Sequence, residues 1–316
     1  MLEKKPLVIL TGPTAAGKTE LSIQLAKKMN GEIISADSMQ VYKYMDIGTA
    51  KITKEEMQGV PHYLVDEFEP EEDFNVVRFQ TYAKKYMDEI YAKGKIPIVV
   101  GGTGFYIQAL LYDIDFDEND ADTQYRKELE HLAEEKGAEY LHEMLQKTDE
   151  KAAREIHANN VKRVIRALEF YKQTGRKISE HNETERQKES PYEFAYFVLT
   201  DERKILYERI NLRVDKMMEA GLLKEVEALK ERGLRRDMVS MQGIGYKEIL
   251  AYLDNEYSYE KAVEVLKQDT RHFAKRQLTW FRREKEVIWL DKSVIGRDTD
   301  SVMKAIDREL KKRHII

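Results

Sequence analysis

Residues 7–19 read LVILTGPTAAGKT, which is the most informative segment of the chain. The apolar run at residues 7–10 is typical of a strand, and residues 12–19 fit the pattern G-x-x-x-x-G-K-[ST] in full. Apolar residues then recur at intervals of three and four as far as Met29, which predicts an amphipathic helix. The order strand, glycine-rich turn and helix is the setting in which this motif forms a phosphate-binding loop.

The backbone and two side chains of this loop give it its chemistry. Glycines let successive N–H groups point into one concavity, and the N-terminus of the following helix adds a partial positive charge there. Lys18 adds a full positive charge, and the Thr19 hydroxyl can ligate Mg²⁺. The motif predicts a pyrophosphate site but does not by itself specify ATP. The residues predicted to bind the diphosphate are Gly12, Pro13, Thr14, Ala15, Ala16, Gly17, Lys18 and Thr19.

The composition limits the classes of protein that fit. The chain has 316 residues, which suits about two domains of ~150 residues each. Hydrophobic residues make up 42% and charged residues 35%, as in a globular protein with a full core. There is no cysteine, which excludes disulfides, cysteine-ligated zinc fingers and thiol nucleophiles in this chain. A net charge of −5 argues against non-specific coating of nucleic acid, although it leaves room for a local basic groove.

The sequence shows no sign of membrane association. No apolar run approaches the ~18 residues that a membrane span needs. The first residues, MLEKKPLVILTG, lack a long apolar region followed by a small-residue cleavage site. We therefore expect a cytoplasmic protein with no membrane partner.

Two further loops follow strand-like segments, and residues 43–61 are also predicted to be a loop. Residues 31–37 read GEIISAD and end in Asp37, and residues 96–104 read IPIVVGGTG and contain Thr103. Ligands of parallel sheets bind beyond the carboxyl ends of the strands, so we expect Asp37 and Thr103 to lie beside the phosphate loop. Asp37 can hold Mg²⁺, act as a general base or cap a turn, and the residues around it do not decide between these roles. The glycine-rich turn at 101–104 can equally be an ordinary strand–helix connection.

The middle of the chain is predicted to be a helical insert. Residues 113–122 are rich in aspartate and glutamate, which is typical of a solvated linker at a domain boundary. The pattern beyond them is helical to about residue 175. Lys162 and Arg166 lie four residues apart and share a helix face, while Val164 marks the buried side. This basic face suits nucleic-acid contact or simple exposure to solvent.

The second half of the chain returns to alternating strands and helices. Residues 194–199 and 287–290 are predicted strands, and Asp201 is predicted to cap a helix over 202–220. Arg209 and Arg213 lie four residues apart on that helix, where two cations can neutralise charge on a leaving group or remain solvated. A long helix is predicted over 259–284, with basic and aromatic residues interleaved in its second half.

The fold class predicted is α/β, with a P-loop NTPase-like parallel sheet flanked by helices and a helical insertion domain. Residues 1–114 form the first part of the P-loop core, 115–190 the helical insert, and 191–316 the second part with the C-terminal helices. Two classes of function fit this plan. One is a P-loop kinase or NTPase acting on a small molecule or RNA, and the other is a transferase that uses the loop to hold a pyrophosphate leaving group. A nucleotide-dependent switch or binding module fits less well, since no separate effector domain is apparent.

Several stretches together resemble one known family. The stretches are, in chain order, GPTAAGKT at 12–19, ADSMQVY at 36–42, GGTGFY at 101–106, NNVKRVIRALE at 159–169, RINLRVDKMMEAGLLKEVEAL at 209–229, QGIGYKE at 242–248 and AKRQLTWFR at 274–282. The phosphate loop is shared by many families, but the combination of ADSMQVY, GGTGFY and AKRQLTWFR is specific. In these stretches and their order the chain resembles the tRNA dimethylallyltransferases (tRNA isopentenyltransferases) over about residues 6–292, and its length and lack of a zinc finger resemble the bacterial branch.

The resemblance implies a specific reaction. In this family the loop holds dimethylallyl diphosphate rather than ATP. The dimethylallyl group moves to the exocyclic amine of the adenosine 3′-adjacent to the anticodon, giving N6-dimethylallyladenosine, and diphosphate leaves. The implied partners are dimethylallyl diphosphate and the tRNA anticodon stem-loop, the implied cofactor is Mg²⁺, and we expect a monomer.

The resemblance also implies roles for individual residues. Asp37 would accept the proton of the amine, and Thr103 would position the substrate. Arg209, together with Arg213, would stabilise the departing diphosphate, and Thr19 would hold Mg²⁺. The target base must be flipped out of its stack to reach this site. The residues expected to contact tRNA are Asp37, Ser38, Met39, Gln40, Thr103, Arg126, Asn160, Val161, Lys162, Arg163, Val164, Arg166, Gln242, Gly243, Gly245, Tyr246, Lys247, Lys275 and Arg276.

Overall fold

The computed structural model describes residues 4–116 and 123–316. The chain forms two compact units: a core unit of residues 1–111 and 191–316, and a helical unit of residues 112–190. Of the predicted acidic linker, Asp117, Glu118, Asp120 and Asp122 lie outside the described residues.

A six-stranded sheet forms the centre of the core unit, and every pair of neighbouring strands is parallel. The strand order β3-β2-β4-β1-β5-β6 places β1 between β4 and β5, with Leu10 aligned with Val100 on one side and Phe197 on the other. This parallel sheet flanked by helices confirms the predicted fold class. The strands are β1 (Lys5–Thr11), β2 (Gly31–Ala36), β3 (His62–Tyr63), β4 (Ile96–Gly101), β5 (Tyr192–Thr200) and β6 (Val287–Asp291).

Helices surround the sheet and make up the second unit. A short 3₁₀ helix, Ser240–Gln242, precedes the twelfth α-helix. The helices are α1 (Lys18–Met29), α2 (Lys54–Met57), α3 (Val76–Ala92), α4 (Gly104–Leu111), α5 (Thr123–Lys136), α6 (Ala138–Thr148), α7 (Glu150–Glu155), α8 (Val161–Thr174), α9 (Ile178–Gln187), α10 (Arg203–Glu219), α11 (Leu222–Glu231), α12 (Tyr246–Leu253), α13 (Tyr259–Phe281), α14 (Lys292–Ile295) and α15 (Thr299–Lys312).

Burial on both faces explains why the central strands are continuously apolar. Val8 and Leu10 of β1 pack in one cluster with α1 and α15, whereas α3 and α4 pack against β2. Leu7 and Ile9 alternate with Val8 and Leu10 along β1 and are equally buried, as expected of a strand covered by helices on both sides. Because every strand is parallel, all the carboxyl ends meet at one edge, where the phosphate loop begins.

The helical unit has a hydrophobic core of its own. Leu129 of α5, Leu141 and Leu145 of α6, and Val164 and Leu168 of α8 are buried together. Helical structure continues beyond the predicted end near residue 175, since α9 occupies Ile178–Gln187.

Two local predictions are wrong. Asp201 does not cap α10, because Glu202 is the N-cap residue and the Asp201 carboxylate forms ion pairs with Arg209 and Arg297 instead. The segment 43–61, predicted to be a loop, contains α2. The Thr53 hydroxyl caps that helix by accepting from the Glu56 N–H, and the Glu56 carboxylate accepts from the Thr53 N–H, which together form a capping box.

Candidate active site

The phosphate loop runs from the end of β1 to the start of α1 in a fixed conformation. Gly12 has φ +146°, and a Cβ atom there would lie 2.4 Å from the Leu199 carbonyl oxygen, so a larger residue would displace the backbone. The Thr11 hydroxyl donates to the Gly101 carbonyl at 2.6 Å and ties the start of the loop to β4. Gly17, with φ +89°, is the N-cap of α1. The loop is therefore held in place by contacts within the protein itself.

Lys18 folds back over this loop. Its Nζ donates to the carbonyl oxygens of Gly12 and Pro13, at 3.0 and 2.9 Å. Burial and the nearby positive charge of Arg213 lower the pKa of Lys18 to about 8, although the Asp37 carboxylate acts in the opposite direction. An ammonium group with a depressed pKa gains most from an anion, because the anion supplies the charge compensation that burial has removed.

Arg213 of α10 reaches the same side of the loop. Its Nη1 donates to the Thr14 hydroxyl at 3.4 Å. Burial lowers the pKa of Arg213, and the Asp37 carboxylate partly opposes this effect. Lys18, Arg213 and Asp37 thus interact electrostatically, and two cations in partly desolvated surroundings face one carboxylate. Groups with perturbed pKa values gathered in this way are typical of functional sites.

Asp37 follows β2 and is fixed by the backbone that comes after it. Its Oδ1 accepts from the N–H groups of Met39 and Gln40, at 2.9 and 3.3 Å. Gln40 in turn donates from Nε2 to the carbonyls of Thr49 and Ala50, both at 3.2 Å. Asp37 is half-buried. The carboxylate is therefore oriented at the sheet edge where the sequence predicted it.

The third loop approaches Asp37 through Thr103. The Thr103 N–H donates to the carbonyl of Ala36, the residue before Asp37, at 3.1 Å. Gln277 of α13 contacts the phosphate loop and this third loop together, with its side chain between Thr14 and Gly102. Sequence reasoning missed Gln277, although AKRQLTWFR was among the matching stretches.

Arg209 lies near the C-terminal end of the phosphate loop. Its Nη1 is 3.2 Å from Asp201 Oδ2, and its side chain lines a cavity of about 260 Å³ beside Gly17. Lys292 lines the same cavity and donates from Nζ to the Ala16 carbonyl at 2.8 Å. Burial and the charge of Arg209 lower the pKa of Lys292. Sequence reasoning missed Lys292 too, although it directly follows β6 at the carboxyl edge of the sheet.

The loop after Asp37 and the segment 242–247 are joined by the half-buried carboxylate of Glu225. Glu225 accepts from the N–H groups of three successive residues, Asp46, Ile47 and Gly48, at 2.9, 2.7 and 3.0 Å. The Tyr246 hydroxyl donates to the same carboxylate at 2.7 Å. Residues 46–48 and Tyr246, which belongs to the predicted RNA-contacting segment 242–247, are thereby fixed to α11.

This arrangement corrects part of the predicted RNA surface. Tyr246 is fully buried, so its side chain cannot contact RNA and serves the bond to Glu225 instead. Gly243 and Gly245 are buried as well, whereas Gln242 is exposed. Lys247 is half-buried, with its Nζ 3.4 Å from Asp269 Oδ2. Gln242 and Lys247 are thus the members of this segment with accessible side chains.

Two further predicted RNA-binding residues, Lys275 and Arg276, are exposed on α13. They border a cavity of about 380 Å³. The rest of its lining is basic, polar and aromatic: His272, Thr279, Trp280 and Arg283.

In the helical unit, α8 presents its basic residues outward. Lys162 and Arg163 are exposed, Arg166 is half-buried, and exposed Asn160 is the N-cap of the helix. Val164 is fully buried in the core of the unit, so its prediction as an RNA-contacting residue is wrong; Val161 is half-buried against the same core.

Arg126 of α5 is engaged within the helical unit. Its Nε and Nη2 donate to the two oxygens of Glu169, at 2.9 and 2.6 Å. Glu169 is fully buried, whereas the Arg126 side chain is 41% exposed. Arg126 therefore neutralises a buried carboxylate while keeping one edge at the surface.

The described parts of the chain, 4–116 and 123–316, contain no group of three or more His, Asp or Glu side chains that could hold a metal ion. Within the same residues, no helix is long and apolar enough to cross a membrane.

Comparison with known proteins points to one family. The family model described as IPP transferase matches residues 40–284. A tRNA dimethylallyltransferase from Lachnoclostridium phytofermentans is 65% identical over 312 residues, which is 99% of both chains. One from Bacillus cereus is 52% identical over 98% of this chain and 96% of the relative.

Solved structures agree with the sequence comparison. The full-length tRNA isopentenylpyrophosphate transferase from Bacillus halodurans superimposes with a TM-score of 0.73 at 46% identity, over 99% of this chain and 98% of that one. A eukaryotic dimethylallyltransferase acting on tRNA superimposes with a TM-score of 0.79 at 33% identity, over 96% of this chain and 78% of that one.

Proposed function

Because the chain belongs to the IPP transferase family, we infer that it is a tRNA dimethylallyltransferase, and we propose how its residues serve that reaction. The enzyme transfers a dimethylallyl group to the exocyclic amine of an adenosine in tRNA. We propose that the donor is dimethylallyl diphosphate and that the acceptor is the adenosine 3′-adjacent to the anticodon. The observation that carries this proposal is the 65% identity over 99% of the chain to a tRNA dimethylallyltransferase, in a structure whose Asp37 lies near enough to Lys18 and Arg213 to offset part of the lowering of both pKa values.

The phosphate loop is proposed to bind the diphosphate of the donor. Lys18 and Arg213 lie on one side of the loop and have depressed pKa values, so both gain electrostatic stabilisation when an anion arrives. Arg209 lines a cavity beside Gly17, at the C-terminal end of the loop. Cations held in place before the reaction stabilise the negative charge that develops on a departing diphosphate.

Asp37 is the proposed general base. The amine nitrogen of the adenosine forms a bond to the allylic carbon, while the bond from that carbon to the diphosphate oxygen breaks. The electron pair of the broken bond leaves with the diphosphate, and the surplus proton on nitrogen passes to Asp37. The Asx turn to Met39 and Gln40 supports this role because it fixes the direction of the carboxylate. Thr103, beside Ala36, is proposed to orient the acceptor.

Mg²⁺ fits the site as a partner of the diphosphate. In the described residues no cluster of carboxylates or histidines offers an all-protein site. Mg²⁺ commonly uses one or two protein oxygens together with substrate phosphates and water. Thr19 is exposed in the first turn of α1, directly after Lys18, and its hydroxyl suits such a ligand. A bound Mg²⁺ supplies additional neutralisation of the diphosphate charge.

The tRNA is proposed to be held by exposed residues of both units. The target base must leave its stack, and half-buried Ser38, Met39 and Gln40 directly follow Asp37, where they can contact a flipped base. Exposed Lys162, Arg163, Gln242, Lys275 and Arg276 suit contacts to phosphates and bases. We propose further that the enzyme acts as a monomer, in the cytoplasm where its tRNA substrate resides.

A direct assay tests the function. Unmodified tRNA is incubated with the protein, Mg²⁺ and dimethylallyl diphosphate labelled in the prenyl group, beside a parallel reaction with ATP labelled in the terminal phosphate. We expect label to enter tRNA from the prenyl donor alone. Release or transfer of phosphate from ATP without prenylation would contradict the proposal and return the loop to use in a kinase or NTPase.

A further inference from the structure

We propose that Gln277 is a positioning residue that sets the distance between the phosphate loop and the acceptor end of the site. Its Oε1 accepts from the Thr14 N–H, and its Nε2 donates to the Gly102 carbonyl, both at 2.9 Å. A single side chain from α13 thus contacts two loops that follow different strands. This inference rests on the proposed function, since it assigns the two loops to the two substrates.

The direction of the amide is fixed by its partners. A backbone N–H can only donate and a backbone carbonyl can only accept, so the oxygen must face Thr14 and the nitrogen must face Gly102. Gln277 is 6% exposed, and in that setting an unpaired amide would be costly. Gln277 is therefore held in one orientation by both loops, and any displacement of one loop strains its bond to the other.

The fit around Gln277 leaves little space. A Cβ atom added at Gly102 would lie 2.2 Å from Gln277 Nε2, so the loop approaches the amide as closely as a glycine permits. The Thr14 N–H belongs to the loop that is proposed to cradle the diphosphate, but this donor is taken by Gln277. Its bond consequently fixes the loop itself and is not available to the ligand.

The connection continues from Gly102 to the proposed base. Thr103 follows Gly102 and donates its N–H to the Ala36 carbonyl at 3.1 Å, and Asp37 follows Ala36. Three hydrogen bonds therefore run from the phosphate loop through Gln277 to the residue before Asp37. Reactions of bound substrates depend steeply on this kind of spacing, and a displacement of about 1 Å can cost about a hundredfold in rate.

Gln277→Leu tests the coupling, with Gln268→Leu as the matched control. Gln268 lies on the same helix but is exposed, so the same chemical change there touches neither loop. We expect Gln277→Leu to lower kcat for tRNA prenylation by about a hundredfold while the KM for tRNA stays near the wild-type value. Gln268→Leu should leave both unchanged. A kcat for Gln277→Leu equal to that of the control would overturn the proposal.

Gln277→Glu separates positioning from a loss of folding. The carboxylate of the introduced glutamate still accepts from the Thr14 N–H, but its second oxygen repels the Gly102 carbonyl oxygen. When the carboxyl group is protonated, it can donate to that carbonyl instead. Burial raises the pKa of such a group, so the ratio of variant to wild-type kcat should rise as the pH falls between about 8 and 5. Melting temperatures are measured at each pH. A flat ratio, or a ratio that only follows the melting temperature, would contradict a positioning role.

The prenyltransferase function and the coupling through Gln277 can be tested separately. If the wild-type protein transfers no prenyl group to tRNA, the proposed function is wrong whatever Gln277 does. If the wild type is active and both Gln277 variants match it, the function stands and the coupling through Gln277 is wrong.

Discussion

The cations at the phosphate loop and those on α8 are the same types of residue in opposite surroundings. Lys18 and Arg213 lie in partly desolvated positions, hydrogen-bonded to the loop, and their pKa values are lowered. Lys162 and Arg163 extend from α8 into solvent. Charges in a low-dielectric site interact strongly over short distances, whereas exposed charges act over a wider area and are screened by salt.

This difference shows how one chain can serve a small anion and a large one. The phosphate loop has a few fixed donors that suit the proposed diphosphate ligand, and α8 has adaptable charges that suit the proposed contact with a long RNA backbone. Changes at the loop should therefore alter chemistry and pH dependence. Changes on α8 should alter the salt dependence of tRNA binding.

Removing the proposed base should have the largest effect. Asp37→Asn keeps an oxygen to accept from the N–H groups of Met39 and Gln40, but it cannot take up the proton of the amine. We expect the single-turnover prenylation rate to fall by about 10²–10⁴-fold. Diphosphate should bind no more weakly, because a negative charge beside Lys18 has been removed. Asp88→Asn, an exposed carboxylate paired with Lys5, is the control, and a normal rate for Asp37→Asn would exclude the base assignment.

The second prediction concerns the ion pair between Arg126 and Glu169 in the helical unit. Unlike the exposed charges of α8, this pair includes a buried carboxylate. Arg126→Ala leaves the fully buried Glu169 carboxylate without its bidentate partner. We expect a loss of about 3 kcal/mol in the free energy of unfolding, measured with urea on the whole protein. Arg154→Ala breaks the exposed pair with Glu150 and should cost less than about 1 kcal/mol. Similar losses for the two variants would show that burial does not distinguish these pairs.

The pKa of Lys18 predicts a third effect. Above pH 8 the ammonium group loses its proton, so the affinity for inorganic diphosphate with Mg²⁺ should fall by up to about tenfold per pH unit. Lys18→Met should bind diphosphate weakly at every pH and should not show this additional fall in affinity. The comparison therefore separates the ionisation of Lys18 from the ionisation of diphosphate itself. Calorimetric titrations from pH 7 to 9.5 provide the measurement, and parallel slopes for the two proteins would contradict the role of Lys18.

The same pKa affects the stability of the protein without ligand. The pKa of Lys18 is about 8 in the folded state and near its ordinary value of 10.5 in the unfolded chain. Between these values the unfolded state binds more protons, so this group makes the free energy of unfolding rise with pH. Lys18→Met should remove that contribution.

The smallest effect is expected on α8. Replacing Lys162 and Arg166 by alanine together removes two charges, so the plot of log affinity for tRNA against log salt concentration should become less steep by about 1.4. The difference should shrink at high salt, and kcat should change little. Lys147→Ala with Lys204→Ala removes the same charge from other exposed positions. Equal slopes for the two double variants would place the tRNA surface elsewhere.

The parts of the site that the sequence predicted are those formed by short stretches of chain. Residues 12–19 form their loop locally, and Asp37 follows its strand directly, so the motif and the strand pattern were enough. Gln277 and Lys292 contact the same loop from 263 and 276 residues away along the chain, and no local pattern encodes such a contact. Val164 was assigned to RNA through the resemblance, although its place in the helical period already predicted the buried position that the structure shows.

Glu225 has a consequence for where anions can bind. Three successive N–H groups pointing at one spot, as in residues 46–48, form the kind of concavity in which proteins hold phosphate. Here the protein supplies the anion itself, and Tyr246 adds a fourth donor. A free phosphate or a nucleotide would have to displace a carboxylate that is already fully bonded. The N–H groups of residues 46–48 are therefore not available to the proposed diphosphate and RNA ligands, because Glu225 already occupies them.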